Sequence, residues 1–139
     1  MIVLDTNVLS EMMTPRPSPT VTAWLASFRP SDLWTSAITR AELIFGVRSM
    51  PDGRRRGEIA RGMTTMFTLL EGRFLPFAED ACEPFAEIVL NRRRMGRPIP
   101  TPDAQIAAIA RAAGMAVATR DVKDFADCGI DIINPWSAA

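Results

Sequence analysis

The sequence predicts an α/β fold in which a central parallel sheet is covered by helices on both faces. Two observations predict it. Short apolar runs alternate along the chain with longer stretches whose apolar residues recur every three to four positions; these are the marks of buried strands and of one-sided helices. Strict alternation of the two favours parallel pairing, because a parallel strand needs a crossover and a helix supplies it. No internal repeat, low-complexity tract or linker interrupts the pattern, so residues 1–139 read as one domain.

Ile2-Val3-Leu4 opens the chain as a short buried strand closed by Asp5. Asn7 to Met13 reads as a brief helix, ended by the stiff turn Thr14-Pro15-Arg16-Pro17-Ser18-Pro19. Ser18 or Thr20 is placed to cap a second helix, whose stripe is Val21, Trp24, Leu25 and Phe28. Leu33-Trp34-Thr35 reads as a strand, and Ser36 stands at the N-cap of a helix from Ala37 to Met50. After the turn Pro51-Asp52-Gly53, a long helix runs from Arg54 to Leu70 with Ile59, Met63, Met66, Phe67 and Leu70 inward.

Phe74-Leu75-Pro76-Phe77 reads as a short strand or extended link. Asp80 is expected to cap the next helix, which carries Phe85, Ile88 and Val89 and ends in arginines before Gly96. Asp103 to Ala113 is apolar almost all round, which predicts a buried helix. Gly114 suits the position just past its end. Met115 to Ala118 reads as a strand, and Asp131-Ile132-Ile133 as a last edge strand.

Hydrophobic residues make up 47% of the chain, which argues against disorder, and no apolar run is long enough to span a bilayer. The first apolar run lacks a basic leader, so the expected compartment is the cytoplasm. Histidine is absent, which removes imidazole acid–base catalysis and imidazole metal sites. Cys82 and Cys128 stand far apart and read as small buried apolar residues rather than a disulfide or zinc pair. Chemistry is left to carboxylates, hydroxyls and arginines. Arg54 to Arg56 and Arg92 to Arg94 form two clusters, either solvated helix faces or phosphate guides.

Four acids stand where acids are unexpected. Asp5 and Asp121 follow apolar strand runs directly, and in an open parallel sheet the carboxyl edge is where ligands bind. Glu42 shares a helix face with Ile38, Ala41 and Phe45, and Asp103 shares one with Ile106, Ala107 and Ala110. Two carboxylates about 5 Å apart repel by roughly 3 kcal/mol at an effective dielectric near 20. Four together demand a cation or protonation. All-oxygen ligands select Mg²⁺ or Mn²⁺ over Zn²⁺. Such a site permits metal-assisted phosphodiester hydrolysis by water. Thr6 and Thr119 are candidate donors to phosphate or to a ligand carboxylate, with Asn7 and Asp124 beside them. Taken singly, Asp103 is also an ordinary first-turn acid and Asp5 an ordinary helix cap.

Five segments, in order, resemble the PIN-domain ribonucleases, specifically the VapC toxins and their FitB-like branch. They are Ile2-Val3-Leu4-Asp5-Thr6-Asn7-Val8-Leu9-Ser10-Glu11, Ser36-Ala37-Ile38-Thr39-Arg40-Ala41-Glu42-Leu43 with Gly46, Asp103-Ala104-Gln105-Ile106-Ala107-Ala108, Val117-Ala118-Thr119-Arg120-Asp121, and Asn134-Pro135-Trp136. The resemblance implies a three-layer α/β/α PIN domain and a catalytic metal site of Asp5, Glu42, Asp103 and Asp121. Asp124, just before Phe125, competes for the fourth place. It further implies RNA cleavage, a homodimer, and silencing by a small DNA-binding antitoxin whose C-terminal tail covers the site. Two other readings compete. A haloacid-dehalogenase-type phosphatase wants an acid where Asn7 stands, and a receiver domain wants an acidic pair near the start. A non-catalytic PIN-like module that binds RNA or a partner needs no intact acids.

Overall fold

A computed structural model describes residues 1–137. Five parallel strands form the sheet: β1 (Ile2–Leu4), β2 (Leu33–Ser36), β3 (Phe74–Leu75), β4 (Ala116–Ala118) and β5 (Ile132–Ile133), in the order β3-β2-β1-β4-β5. Six α-helices connect and cover them: α1 (Thr6–Met13), α2 (Pro19–Ala26), α3 (Ala37–Ser49), α4 (Arg54–Leu69), α5 (Cys82–Arg94) and α6 (Thr101–Ala113).

Alternation of side chains along a strand sends neighbours to opposite faces. Ile2, Leu4 and Ala118 therefore join one core with Val8, Leu9, Val21, Leu43 and Val47 from α1 to α3. Val3 and Val117 join the other, with Ile88 of α5 and Ala104, Ile106 and Ala108 of α6. The result is the three-layer α/β/α arrangement the sequence predicts. Among the described residues, no helix is long and apolar enough to cross a membrane.

Helix ends follow local chemistry. Ser18 rather than Thr20 caps α2, accepting from the Val21 amide at 3.4 Å, with Pro19 at the first helical position. Ser36 caps α3 through the Thr39 amide at 3.1 Å. Gly114 ends α6 in the left-handed region at φ 67°, a conformation that is easy for glycine and strained for most other residues. Asp80 does not cap α5. It lies inside a 3-10 turn, Glu79–Ala81, that leads into the helix, and no side chain caps either start.

Two more expectations change. Cys82 is exposed and Cys128 buried, and both are free; burial raises the Cys128 thiol pKa, which makes it a poor nucleophile. On α3 the buried stripe is Thr39, Leu43 and Val47, not the face of Ile38, Ala41 and Phe45. Phe45 is 73% exposed. The helix carries apolar residues on more than one side, and packing of Leu43 and Val47 into the first core, rather than composition, chose which side turns in.

Helices α1 and α4 meet at Gly62. A Cβ there would fall 2.3 Å from the Met13 carbonyl oxygen, inside any tolerable contact. Gly62→Ala is expected to push the helices apart at a cost of about 1–3 kcal/mol. Urea unfolding would show this as a lowered midpoint, and an unchanged midpoint would mean that the pair separates freely.

Candidate metal-binding active site

From β1 the chain builds outward first through β2 to β3, then on the opposite side through β4 to β5. The order thus reverses between β1 and β4, where open α/β sheets leave a crevice at their carboxyl edge. Asp5 ends β1 at that crevice, its amide donating to the Ala118 carbonyl at 2.9 Å. It doubles as the N-cap of α1. Helix α3 starts at the end of β2 and brings Glu42 to the same edge, and the first turn of α6 brings Asp103. Asp121 follows β4 by three residues.

All four acids line one open cavity of about 500 Å³, together with Thr6 and Asn7. Thr119 lies beneath it, fully buried. Asp124 does not line the cavity, although its charge reaches Asp103. Asp121 thus lies on the cavity wall, while Asp124 acts on Asp103 from outside it and more strongly than Asp121 does.

Hydrogen bonds join the acids in pairs. Thr6 links Asp5 to Glu42: its amide donates to Asp5 Oδ1 at 2.8 Å and its hydroxyl to Glu42 Oε1 at 2.8 Å. Asn7 sits between Asp5 and Asp121, its Nδ2 donating to Asp121 Oδ2 at 3.1 Å and to Thr119 Oγ1 at 3.2 Å. Thr119 donates its hydroxyl to Asp5 Oδ2 at 2.8 Å and accepts from the Asp121 amide at 3.0 Å. The Thr-Asn pair that follows β1 and the threonine that follows β4 thus hold the carboxylates by their edges.

The electrostatics are uncompensated. Desolvation raises the Asp5 pKa above 3.8 even though Thr119 and Thr6 donate to it, and the charges of Glu42 and Asp121 push the same way. Asp103 is pushed up to about 6, first by desolvation and then by Asp5, Asp124, Glu42 and Asp121. None of the four forms an ion pair among the described residues. The chemistry of this donor set fits a hard divalent cation: all oxygen, mostly anionic, and not ion-paired. Among the described residues, no three Cys, Asp or Glu side chains are close enough to hold a single ion as they stand. Glu42 and Asp121 are exposed and Asp103 half-buried, so they have room to close. Magnesium also keeps several waters and does not require a complete protein cage.

Sequence reasoning missed several residues here. Ser10, Glu11 and Thr14 also line the cavity. With Asn7 they recur at helical spacing along α1 and its end, a polar stripe that could have been read. Arg120 and Trp136 line it as well, and no spacing signals their meeting. Arg92, assigned to a solvated or phosphate-guiding cluster, is 4% exposed and bonded to backbone carbonyls. In the other cluster, Arg54 pairs with Glu58 and Arg56 with Asp52 along the chain.

The PIN domain pattern matches residues 2–129. A protein named VapC ribonuclease Y4jK, from Sinorhizobium fredii, is 44% identical over 140 residues, with all of both chains covered. Toxin FitB from Neisseria gonorrhoeae is 38% identical, over 98% of this chain and 99% of its own. The solved structure of FitAB bound to an IR36 DNA fragment contains a chain that superposes with a TM-score of 0.91 at 38% identity, covering 100% of this chain and 98% of that one. On the sheet order, the edge where the acids gather and these likenesses, the chain belongs to the PIN domain family.

Proposed function

We propose that this chain is a Mg²⁺- or Mn²⁺-dependent endoribonuclease and the toxin of a type II toxin–antitoxin pair. One observation carries the reading: four acids share a cavity at the sheet's switch point, and none of them is ion-paired among the described residues. The likeness to a VapC ribonuclease and to toxin FitB supports the activity and the biological role. The solved FitAB assembly on DNA supports a small DNA-binding antitoxin, whose C-terminal tail would cover the cavity. A homodimer of single-domain subunits acting in the cytoplasm completes the proposal.

Asp5, Glu42, Asp103 and Asp121 would hold the ion. When bound, it neutralises charge on a scissile RNA phosphate and lowers the pKa of an attacking water. The protein's part is placement. Thr6 and Thr119 fix both oxygens of Asp5, Thr6 fixes Glu42, and Asn7 fixes Asp121. Asp103 has no such donor among the described residues, and one of the four carboxylates would orient the water and take its proton. Attack at phosphorus expels the 3′-oxygen, which leaves a 5′-phosphate and a 3′-hydroxyl. The RNA 2′-hydroxyl has no part in the step.

One observation favours a second reading, a PIN-like module that binds RNA or a partner without cutting. The acids stand too far apart to grip an ion unaided. Incubating the purified chain with RNA in Mn²⁺, Mg²⁺ or EDTA separates the two. Cleavage is expected only with metal, with 5′-phosphate and 3′-hydroxyl ends, and Asp5→Ala should abolish it while the circular dichroism spectrum persists. A 2′,3′-cyclic phosphate product, or cutting in EDTA, would refute the metal–water mechanism. Inertness with metal, together with harmless expression alone, would favour the binding module.

A further inference from the structure

The cavity is lined by five acids (Asp5, Glu11, Glu42, Asp103 and Asp121) and one basic residue, Arg120. A guanidinium among five carboxylates would ordinarily pair with one of them. Arg120 forms no ion pair within 4 Å among the described residues. Instead its Cζ lies 4.2 Å from the centroid of the Trp136 ring.

Both partners are held from behind. The Arg120 amide donates to Asn7 Oδ1 at 3.3 Å, which ties its backbone to the residue between Asp5 and Asp121. Trp136 follows β5, and its amide donates to Asn134 Oδ1 at 3.0 Å, closing the Asn134-Pro135-Trp136 turn. Its indole N–H finds no acceptor among the described residues. Packing on the core and the guanidinium on its face are what hold the ring. A cation stacked on an aromatic face keeps its N–H groups free at the edges of its plane, and that fork matches phosphate oxygens.

We propose that Arg120, laid flat on Trp136 at the rim of the cavity, binds a backbone phosphate of the substrate beside the scissile one, and that Trp136 is its positioning residue. The inference deepens the ribonuclease reading and rests on it. It supplies what the acids lack: a positive contact that admits a polyanion to an anionic cavity. The stack keeps that contact from being lost to the neighbouring carboxylates.

The test measures binding of a single-stranded oligoribonucleotide of mixed sequence, in Mn²⁺, by full-length Asp103→Asn protein with and without further changes. Adding Arg120→Gln is expected to weaken binding about tenfold or more. It should also make the slope of log K against log salt shallower by about 0.7, the share of one single-strand phosphate contact. Trp136→Leu should reproduce both effects with Arg120 intact, and Trp136→Phe should restore them toward the parent. A purely structural tryptophan would lower the melting temperature without moving the slope. The Mn²⁺ affinity of the Arg120→Gln variant should not fall below its parent's, since the change removes a positive charge from the cavity and none of the four acids. An unchanged affinity and slope for Arg120→Gln would overturn the inference alone, provided that wild-type protein cuts total RNA with metal. Wild-type protein that leaves RNA intact would remove the nuclease reading, and this inference with it.

Discussion

Asp103→Asn should abolish RNA cleavage and at the same time make the metal-free protein more stable at neutral pH. Loss of a charged group from the reacting centre is expected to cost on the order of 10²–10³-fold in rate. The gain in stability follows from the raised pKa. In the metal-free fold Asp103 keeps its proton up to about pH 6, against an ordinary value of 3.8. Between those two values the folded chain binds more protons than the unfolded one, so stability falls as pH rises through the window. Above pH 6 the ionised carboxylate remains a burden, pressed by Asp5, Asp124, Glu42 and Asp121. Its place in the first turn of α6 is favourable to a negative charge. The upward shift shows that desolvation and crowding outweigh that favour. Asparagine keeps the shape and removes the charge. Melting curves in EDTA should put the variant a few degrees above wild type at pH 7.5 and level with it near pH 4. Mn²⁺ should raise the wild-type melting temperature at pH 7.5 and much less at pH 5, where protons compete for the site. A variant that cuts at near wild-type rate, or that melts below wild type in EDTA at pH 7.5, would refute this account.

Arg92→Met should cost more stability than any surface substitution. The Arg92 guanidinium is buried in the second core and donates to the carbonyls of Arg97 at 2.8 Å, Asp124 at 2.7 Å and Ala126 at 3.1 Å. Buried ion pairs can sometimes be exchanged for apolar residues without loss, because both charges leave together. Here the partners are backbone carbonyls, which stay behind. Each one left unpaired costs about 1–3 kcal/mol, and three approach the whole stability of an ordinary domain of roughly 5–15 kcal/mol. Arg92→Lys should recover little, since an ammonium is a point charge and cannot span the three acceptors as a planar fork does. Chemical denaturation, or the soluble fraction on expression, would register the loss. A midpoint within experimental error of wild type would show that the loop from Asp121 to Ala126 holds without this tie.

Much of this molecule could be read in its residues. The strands announce themselves as short apolar runs, and Ser36 and Gly114 mark helix ends through the chemistry of one side chain or its absence. Asp5 is legible because an acid directly after a buried run needs a reason. Asp103 is legible because its helix is apolar almost everywhere else. Glu42 reaches the cavity, but not for the reason its sequence neighbours suggest. Its expected face with Phe45 is the exposed one, and only packing reveals that Thr39, Leu43 and Val47 turn inward. Arg92 was illegible for a related reason. An arginine run on a helix looks solvated, and nothing local shows that its carbonyl partners lie as much as 34 positions away. The Arg120–Trp136 stack depends on two loops that meet only after β4 and β5 pair.

The central strand carries a timing rule. Asp5 is synthesised well before its partner: the hydroxyl that seats it belongs to Thr119, 114 positions later. Domains assemble from the N-terminus as they are synthesised, but this crevice has no second wall until β4 has docked on β1. A nascent chain cut short anywhere before that strand holds scattered acids and no blade. The crevice is therefore complete only once β4 has joined the sheet.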